Sequence, residues 1–114
     1  MTGLRVAIVL VFGGALGAAN AAAQTPDGQA LYRQNCRVCH GTAGKPSQQM
    51  VAKYKKIVTL SDTAFLQARS DDSLLAILTN GAGKDMKPWK GKLSREEMAA
   101  IVRYLRGLAP PNTP

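Results

Sequence analysis

The sequence predicts an all-α protein built as one domain. Strand signals are scarce, because apolar and polar residues do not alternate over any sustained stretch beyond the first 23 residues. Helix signals are frequent, since capping residues precede several stretches in which apolar residues recur every three or four positions. A chain of 114 residues also has the length of one domain and leaves little room for a second.

The first 23 residues have the layout of an export signal. They comprise a basic start, "MTGLR", an apolar run of eleven residues, "VAIVLVFGGAL", and a small-residue stretch, "GAANAAA". Ala21 and Ala23 fit the small-x-small cleavage rule, with Gln24 as the new N-terminus. We therefore expect a cleaved signal peptide over residues 1–23 and a periplasmic domain over residues 24–114. An uncleaved membrane anchor is the alternative, although a spanning helix needs about 20 mostly apolar residues.

The chain is strongly basic, with 15 Lys and Arg against 7 Asp and Glu and a net charge of +8. Cleavage would remove Arg5 and leave 91 residues with a charge of +7. This charge favours an acidic partner surface, a nucleic acid or an anionic membrane, and does not choose among them. So small a domain is commonly reinforced by a disulfide, a metal or a bulky cofactor.

The first predicted helix covers about residues 26–36, where Thr25 offers a cap, Pro26 suits the first turn and Asp27 lies at the positive helix end. Apolar residues at loosely helical spacing indicate a further helix within residues 51–58.

Two short helices are predicted next. One begins near Ser61 or Asp62, and the other begins near Ser70 and stops at Asn80 and Gly81, with a left-handed cap.

The last helix is the best specified. Ser94 and Glu97 predict a capping box, and the helix should end near Gly107 and the prolines of the frayed tail "APPNTP". Apolar residues follow helical spacing along it, at Met98, Ile101, Val102, Leu105 and Leu108.

Both cysteines and the only histidine lie within "NCRVCHG", as Cys36, Cys39 and His40. A disulfide across two residues would close a very small ring. A thioredoxin-like redox pair needs a βαβ context that this chain lacks, and a closed zinc site needs a fourth ligand. Covalent haem remains, because Cys-x-x-Cys-His is its attachment signature. The spacing sets the thiols about one helical turn apart, to match two vinyl groups on one porphyrin edge, and sets the imidazole next to the iron.

The chain resembles the class I cytochromes c in their small bacterial monohaem form. The resemblance covers essentially all of residues 24–114, and it rests on "DGQALYRQNCRVCHG" and "GKDMKPWKGKLSREEMAAIVRYLRGL". It implies the cytochrome c fold, a small helical domain wrapped around one covalently bound haem c.

The sixth iron ligand should be a methionine, because no second histidine exists. Met98 belongs to the apolar stripe of the last helix, and Met50 follows His40 by only ten residues. Met86 lies between two predicted helices, and "MKPW" resembles the family's Met-x-Pro-aromatic segment. We expect His40 and Met86 to ligate the iron.

Smaller expectations follow from the same resemblance. Gly28 and Tyr32 share one face of the first helix, and Gly28 should allow close approach to the last helix near Tyr104 and Leu105. The Pro46 carbonyl would accept a hydrogen bond from the ligating histidine, or Pro46 is an ordinary turn proline. The only tryptophan would lie beside the haem or simply pack in the core.

Lysines crowd the two segments expected to frame the haem. Lys84, Lys87, Lys90 and Lys92 lie around Met86, and Lys45, Lys53, Lys55 and Lys56 follow His40. Lysines are often just solvated surface, but this clustering suggests a positive docking face for an acidic redox partner. The absence of an interleaved aromatic platform argues against nucleic acid.

The function expected from these features is one-electron transfer between redox proteins, without enzymatic activity or a small-molecule substrate. One alternative is a haem subunit of a larger oxidoreductase, and another is a haem sensor or ligand binder with an open sixth position. A carrier tethered to the membrane by residues 1–23 would use the same chemistry.

Overall fold

The computed structural model describes residues 2–3, 7–14 and 25–110. Its helices are α1 (Gly28–Asn35), α2 (Arg37–His40), α3 (Gln48–Lys53), α4 (Thr63–Gln67), α5 (Asp71–Asn80) and α6 (Arg95–Arg106). These described ranges contain no strand, only isolated bridges that pair Ala82 with Met86 and Lys90 with Leu93. The all-α prediction is confirmed.

The first helix begins later than predicted. Asp27, rather than Thr25, is its N-cap, since the Asp27 carboxylate accepts hydrogen bonds from the amides of Gln29 and Ala30 at 3.0 and 3.1 Å. A carboxylate that satisfies two free amides also stabilises the positive helix end, which explains why α1 starts at Gly28.

The later helices begin as predicted. Asp62 caps α4, Ser70 caps α5 and Ser94 caps α6. In α6 the Glu97 amide donates to Ser94 Oγ and the Ser94 amide donates to Glu97 Oε1, both at 3.0 Å, so the capping box is confirmed. Helix α5 ends at Asn80 and Gly81 as predicted, and Gly81 has the positive φ, 77°, of a left-handed cap. Its ψ of 179° is extended, so the residue is not in the left-handed helical conformation.

Helix α6 is the centre of the fold, with α1 and α5 packed against it. A Cβ placed on Gly28 would lie 2.0 Å from the Ala100 carbonyl oxygen, so the two backbones meet directly at this point. The predicted close approach is therefore confirmed, but it lies about one turn earlier on α6 than Tyr104. Beside Tyr104 lies Tyr32 instead, with ring centroids 5.2 Å apart.

Apolar side chains from five segments form one core. Its buried members are Tyr32, Leu60, Leu66, Leu74, Leu78, Met98, Ile101, Val102 and Leu105. Met98 is 4% exposed, which confirms its predicted role in packing.

Residues 7–14 lie outside any helix, and the five apolar side chains from Ile8 to Phe12 are each at least 77% exposed. Of the described residues, none belongs to a helix with the length and apolarity needed to cross a membrane. The predicted cleavage site at Ala21, Ala23 and Gln24 lies outside the described residues, as do Arg5 and the last four residues of the tail.

Candidate functional site

The Cys-x-x-Cys-His segment lies at the junction of α1 and α2. Cys36 ends α1 and begins α2, and α2 is a single turn that contains Cys39 and His40. The Cys36 carbonyl accepts hydrogen bonds from the amides of Cys39 at 3.2 Å and His40 at 2.9 Å. The two cysteines are thus one helical turn apart, which is the separation that the sequence analysis expected.

Both cysteines are free thiols and both are half-buried. Burial, with a smaller contribution from the neighbouring Cys39, raises the pKa of Cys36 to about 11. A redox-active cysteine pair needs a lowered thiol pKa, so this environment does not suit a thioredoxin-like function. Within the described residues, no three His, Cys, Asp or Glu side chains are arranged to hold a metal ion, and a zinc site finds no ligand set there.

The His40 ring has a buried nitrogen, Nδ1, that lacks a hydrogen-bond partner. Burial lowers the pKa of His40, and the backbone of Val58 partly opposes this shift. A buried polar atom left unpaired costs about 1–3 kcal/mol, so such a ring calls for a functional explanation. A neutral, desolvated imidazole is the form that ligates a metal, so the chemistry of His40 fits that of a metal ligand.

The Pro46 carbonyl does not accept a hydrogen bond from His40 Nδ1, because that nitrogen has no partner. The backbone group that acts on the ring belongs to Val58. No pattern in the sequence indicates Val58, because a main-chain acceptor can come from any residue type.

Tyr32 connects α1 to the residue after His40. Its hydroxyl donates to the Gly41 carbonyl at 2.6 Å, and its side chain is fully buried. Burial raises the pKa of Tyr32 to about 12, with Cys36 adding to the shift, so the hydroxyl remains a donor at neutral pH. The sequence placed Tyr32 on the face towards α6 but did not indicate this bond.

Met86 lies in the loop between α5 and α6. It is half-buried against the core, which Cys36 and Trp89 also contact. Its amide donates to the Ala82 carbonyl at 3.3 Å and its carbonyl accepts from the Ala82 amide at 2.9 Å. Met50 lies on α3 and is not among the described side chains that pack on the core.

The eight lysines of the two predicted segments are all exposed. None of these lysines forms a salt bridge with a described residue, because the salt bridge within the described ranges joins Arg106 and Asp71. Lys45 and Lys55 also border a hollow of about 460 Å³ that includes Pro46 and Val51. Between the two cysteines, the Val38 side chain is 74% exposed.

Comparison with known proteins gives one family model, described as cytochrome C oxidase, cbb3-type, subunit III, which matches residues 23–105. The chain is 28% identical over 81 residues to the cbb3-type cytochrome c oxidase subunit FixP of Bradyrhizobium diazoefficiens. It is 30% identical over 81 residues to the subunit of the same name in Azorhizobium caulinodans. Each match covers 71% of this chain, which spans only 26% of the length of these curated relatives.

Solved structures of similar proteins include the c-type cytochrome KustC0563. It is 31% identical, with a TM-score of 0.66, and the match covers 74% of this chain and 99% of that one. A tyrosine-to-phenylalanine mutant of Kustc0563 is 30% identical, with a TM-score of 0.63, and the match covers 72% of this chain and 98% of the mutant.

Proposed function

The chain belongs to the family of cbb3-type cytochrome c oxidase subunit III proteins and has the cytochrome c fold, and from this premise we propose that it is an exported carrier of single electrons. The resemblance to the small class I cytochromes c is thereby confirmed. In this proposal Cys36 and Cys39 bind one haem c covalently, and His40 and Met86 ligate its iron. The carrier exchanges electrons with other redox proteins and acts on no small-molecule substrate.

The observation that carries the proposal is the arrangement on α2. Two free thiols lie one turn apart, and the adjacent His40 has a buried nitrogen with no partner. Haem c, when bound, supplies a reversible one-electron centre. The chain fixes the thiols through α2, while the Tyr32 hydroxyl holds the backbone at Gly41 just after the imidazole.

Met86 is the favoured second ligand, because it is the methionine that both borders the core and lies in a loop rather than a core helix. A thioether ligand raises the reduction potential relative to a second imidazole. Two protein ligands would also leave no open position on the iron, which favours electron transfer over ligand binding.

The exposed lysines support an acidic docking partner. Their charges are not neutralised by salt bridges within the described residues, and they flank both Met86 and the segment after His40. Such a patch accelerates the encounter with an acidic surface and loses effect as salt rises.

Export is supported by the layout of the first 23 residues, and covalent haem attachment would keep the two cysteines from forming a disulfide in an oxidising compartment. We expect the protein produced in an exporting host to have the mass of residues 24–114 plus one haem. A mass that includes residues 1–23 would favour the membrane-tethered carrier instead.

An absorption spectrum of the matured protein, oxidised and reduced, tests the haem and its ligands together. We expect low-spin c-type bands and the weak far-red band of a ferric iron bound by sulfur. The band should vanish in Met86→Ala and persist in the matched control Met50→Ala. High-spin haem without the band would favour a sensor with an open position, and a matured protein without haem would contradict the whole proposal.

The second candidate function is that of a haem subunit in a larger oxidoreductase. The names of the curated relatives favour it, because both are subunits of cbb3-type oxidases. Purification under mild conditions distinguishes the two: a subunit should co-purify in fixed stoichiometry with a catalytic oxidoreductase, whereas a carrier should elute alone.

A further inference from the structure

We propose that Gly81 is the positioning residue for Met86, because only glycine allows the loop after α5 to close at this point. This inference rests on the proposed ligation of the iron by Met86. It extends that proposal by assigning the position of the ligand to the backbone geometry at Gly81.

The first observation is the close approach of the loop to Gly81. A Cβ placed there would lie 2.5 Å from the Met86 carbonyl oxygen, 2.8 Å from the Pro88 nitrogen and 3.0 Å from the Lys87 carbonyl carbon. All three are backbone atoms, and Pro88 has a fixed φ, so they cannot move aside as a flexible side chain would. Any side chain at residue 81 would therefore displace the backbone of Met86 itself.

The second observation is the conformation of Gly81. Its φ of 77° and ψ of 179° fall in a region that is essentially restricted to glycine, and even Asn and Asp, which tolerate the left-handed helical region, are disfavoured there. The Gly81 amide still donates to the Ile77 carbonyl at 2.8 Å. Gly81 thus ends α5, and its conformation directs the chain into the loop that contains Met86.

The third observation is how the loop is fastened. Ala82 and Met86 exchange two backbone hydrogen bonds, at 2.9 and 3.3 Å. Beyond Met86, the amide of Trp89 donates to the Leu78 carbonyl at 2.9 Å and the amide of Lys90 donates to the Thr79 carbonyl at 3.3 Å. Both ends of the loop are therefore tied to the last turn of α5, a helix that packs on α6.

These hydrogen bonds hold the backbone of Met86 in place, in addition to the packing of its side chain against the core. A pre-positioned ligand loses little conformational entropy when it binds, so it competes well with water or a small molecule for the same position. Displacing the Met86 backbone should weaken this competition without affecting the cysteines or His40, which lie on α2.

The experiment compares Gly81→Ala with Gly83→Ala in the haem-loaded protein. Gly83 is the matched control, because its φ is also positive, at 60°, but a Cβ there would have nothing within 4 Å. Both variants place alanine at positive φ. Gly81→Ala adds the extended ψ of 179° and the contact with the backbone of the Met86 loop, which are the two features that the inference assigns to Gly81.

We expect Gly81→Ala to raise the ratio of methionine-free to methionine-bound iron at least about tenfold, which corresponds to about 1.4 kcal/mol. The readouts are the intensity of the far-red band in the ferric protein, which should fall, and the affinity of the ferrous protein for carbon monoxide, which should rise. Covalent haem and far-ultraviolet circular dichroism should be retained, and Gly83→Ala should match the natural protein. The inference is overturned when Gly81→Ala keeps the band and excludes carbon monoxide, or when Gly83→Ala loses the band equally.

A second measurement keeps the inference testable when Gly81→Ala does not fold. In the natural haem protein, the amides of Ala82 and Met86 should exchange with solvent together and more slowly than the amide of Gly83. Equal exchange at the three positions would contradict a fastened loop. Met86→Ala separates failure of the proposed ligand from failure of the role of Gly81. If Met86→Ala keeps the far-red band, Met86 is not the iron ligand. If Met86→Ala loses the band and Gly81→Ala keeps it, only the role of Gly81 is refuted.

Discussion

Tyr32 is the residue through which α1 acts on the segment that follows His40. Its buried hydroxyl donates to the Gly41 carbonyl at 2.6 Å, and its ring packs against Tyr104. The Tyr32 side chain thereby connects α1, the segment after His40 and the core. Removal of its hydroxyl oxygen leaves the ring in place and tests the hydrogen bond alone.

Tyr32→Phe should lower the stability of the haem protein by about 1 kcal/mol, because a buried carbonyl then loses this donor. In a domain of this size that corresponds to a fall in Tm of about 4–8 °C. Tyr104→Phe is the matched control, since it removes the same atom from the neighbouring, half-buried ring. Equal melting temperatures for the two variants would contradict the role of the Tyr32 hydroxyl.

The same hydroxyl predicts a dependence on alkaline pH. The pKa of Tyr32 is raised from 10.0 to about 12 by burial, so above pH 10 the unfolded chain loses this proton before the folded protein does. The stabilisation is therefore complete below pH 10 and is lost as pH rises towards 12. Denaturant unfolding at several pH values should show that the free energy of unfolding falls more steeply between pH 10 and 12 in the natural protein than in Tyr32→Phe. Parallel curves for the two proteins would contradict this assignment to Tyr32.

Arg106 connects α6 to the turn between α4 and α5. Its guanidinium donates to the carbonyls of Leu66 and Arg69, and its Nε lies 2.7 Å from Asp71 Oδ1. The Leu66 carbonyl lies in the last turn of α4, and the Arg69 carbonyl lies in the turn that follows this helix. The main contribution of Arg106 should thus come from the carbonyls rather than from the exposed carboxylate.

Arg106→Ala should cost about 2 kcal/mol, because two backbone acceptors lose a charged donor. Asp71→Ala should cost less than about 1 kcal/mol, since its side chain is 69% exposed and surface ion pairs contribute little. Arg103→Ala, an exposed arginine on the same helix, serves as the control and should be nearly neutral. Thermal unfolding measures all three, and a larger effect for Asp71 than for Arg106 would reverse the assignment.

The crossing of α1 and α6 depends on direct backbone contact. Gly28→Ala would improve helix propensity, yet its Cβ would lie 2.0 Å from the Ala100 carbonyl oxygen and 2.6 Å from the carbonyl carbon. We expect a net loss of about 1–3 kcal/mol from overpacking. Gly107→Ala is the control, because its Cβ would make an ordinary contact, 3.4 Å from the Tyr104 oxygen. A Gly28→Ala protein as stable as this control would refute the close crossing.

The elements also show what the sequence could predict. Helix α6 was predicted with its cap and its buried face, because Ser94, Glu97 and the apolar stripe are local signals. Helix α3 covers Gln48–Lys53, so it begins before the predicted segment of residues 51–58 and ends within it, and Val51 on it is 48% exposed. The chain after α3 includes Val58, whose backbone acts on the His40 ring. Such a contact joins residues far apart in the sequence, and no local pattern encodes it.

The distribution of charge over the protein surface distinguishes a docking face from a generally basic protein. Lys84→Gln with Lys87→Gln removes two charges beside Met86, and Arg95→Gln with Arg103→Gln removes the same number from exposed positions on α6. At low ionic strength, oxidation by an anionic iron hexacyanide should slow about three- to tenfold in the lysine variant and much less in the arginine variant, because steering depends on local charge. The difference should shrink near 0.15 M salt, where the screening length is about 8 Å.

A cationic reagent provides the control of opposite charge. With ruthenium hexaammine, which the lysines repel, the lysine variant should react faster than the arginine variant. Stopped-flow absorption measures both rates, and equal slowing of the two variants would indicate that net charge alone, without a docking face, controls the encounter.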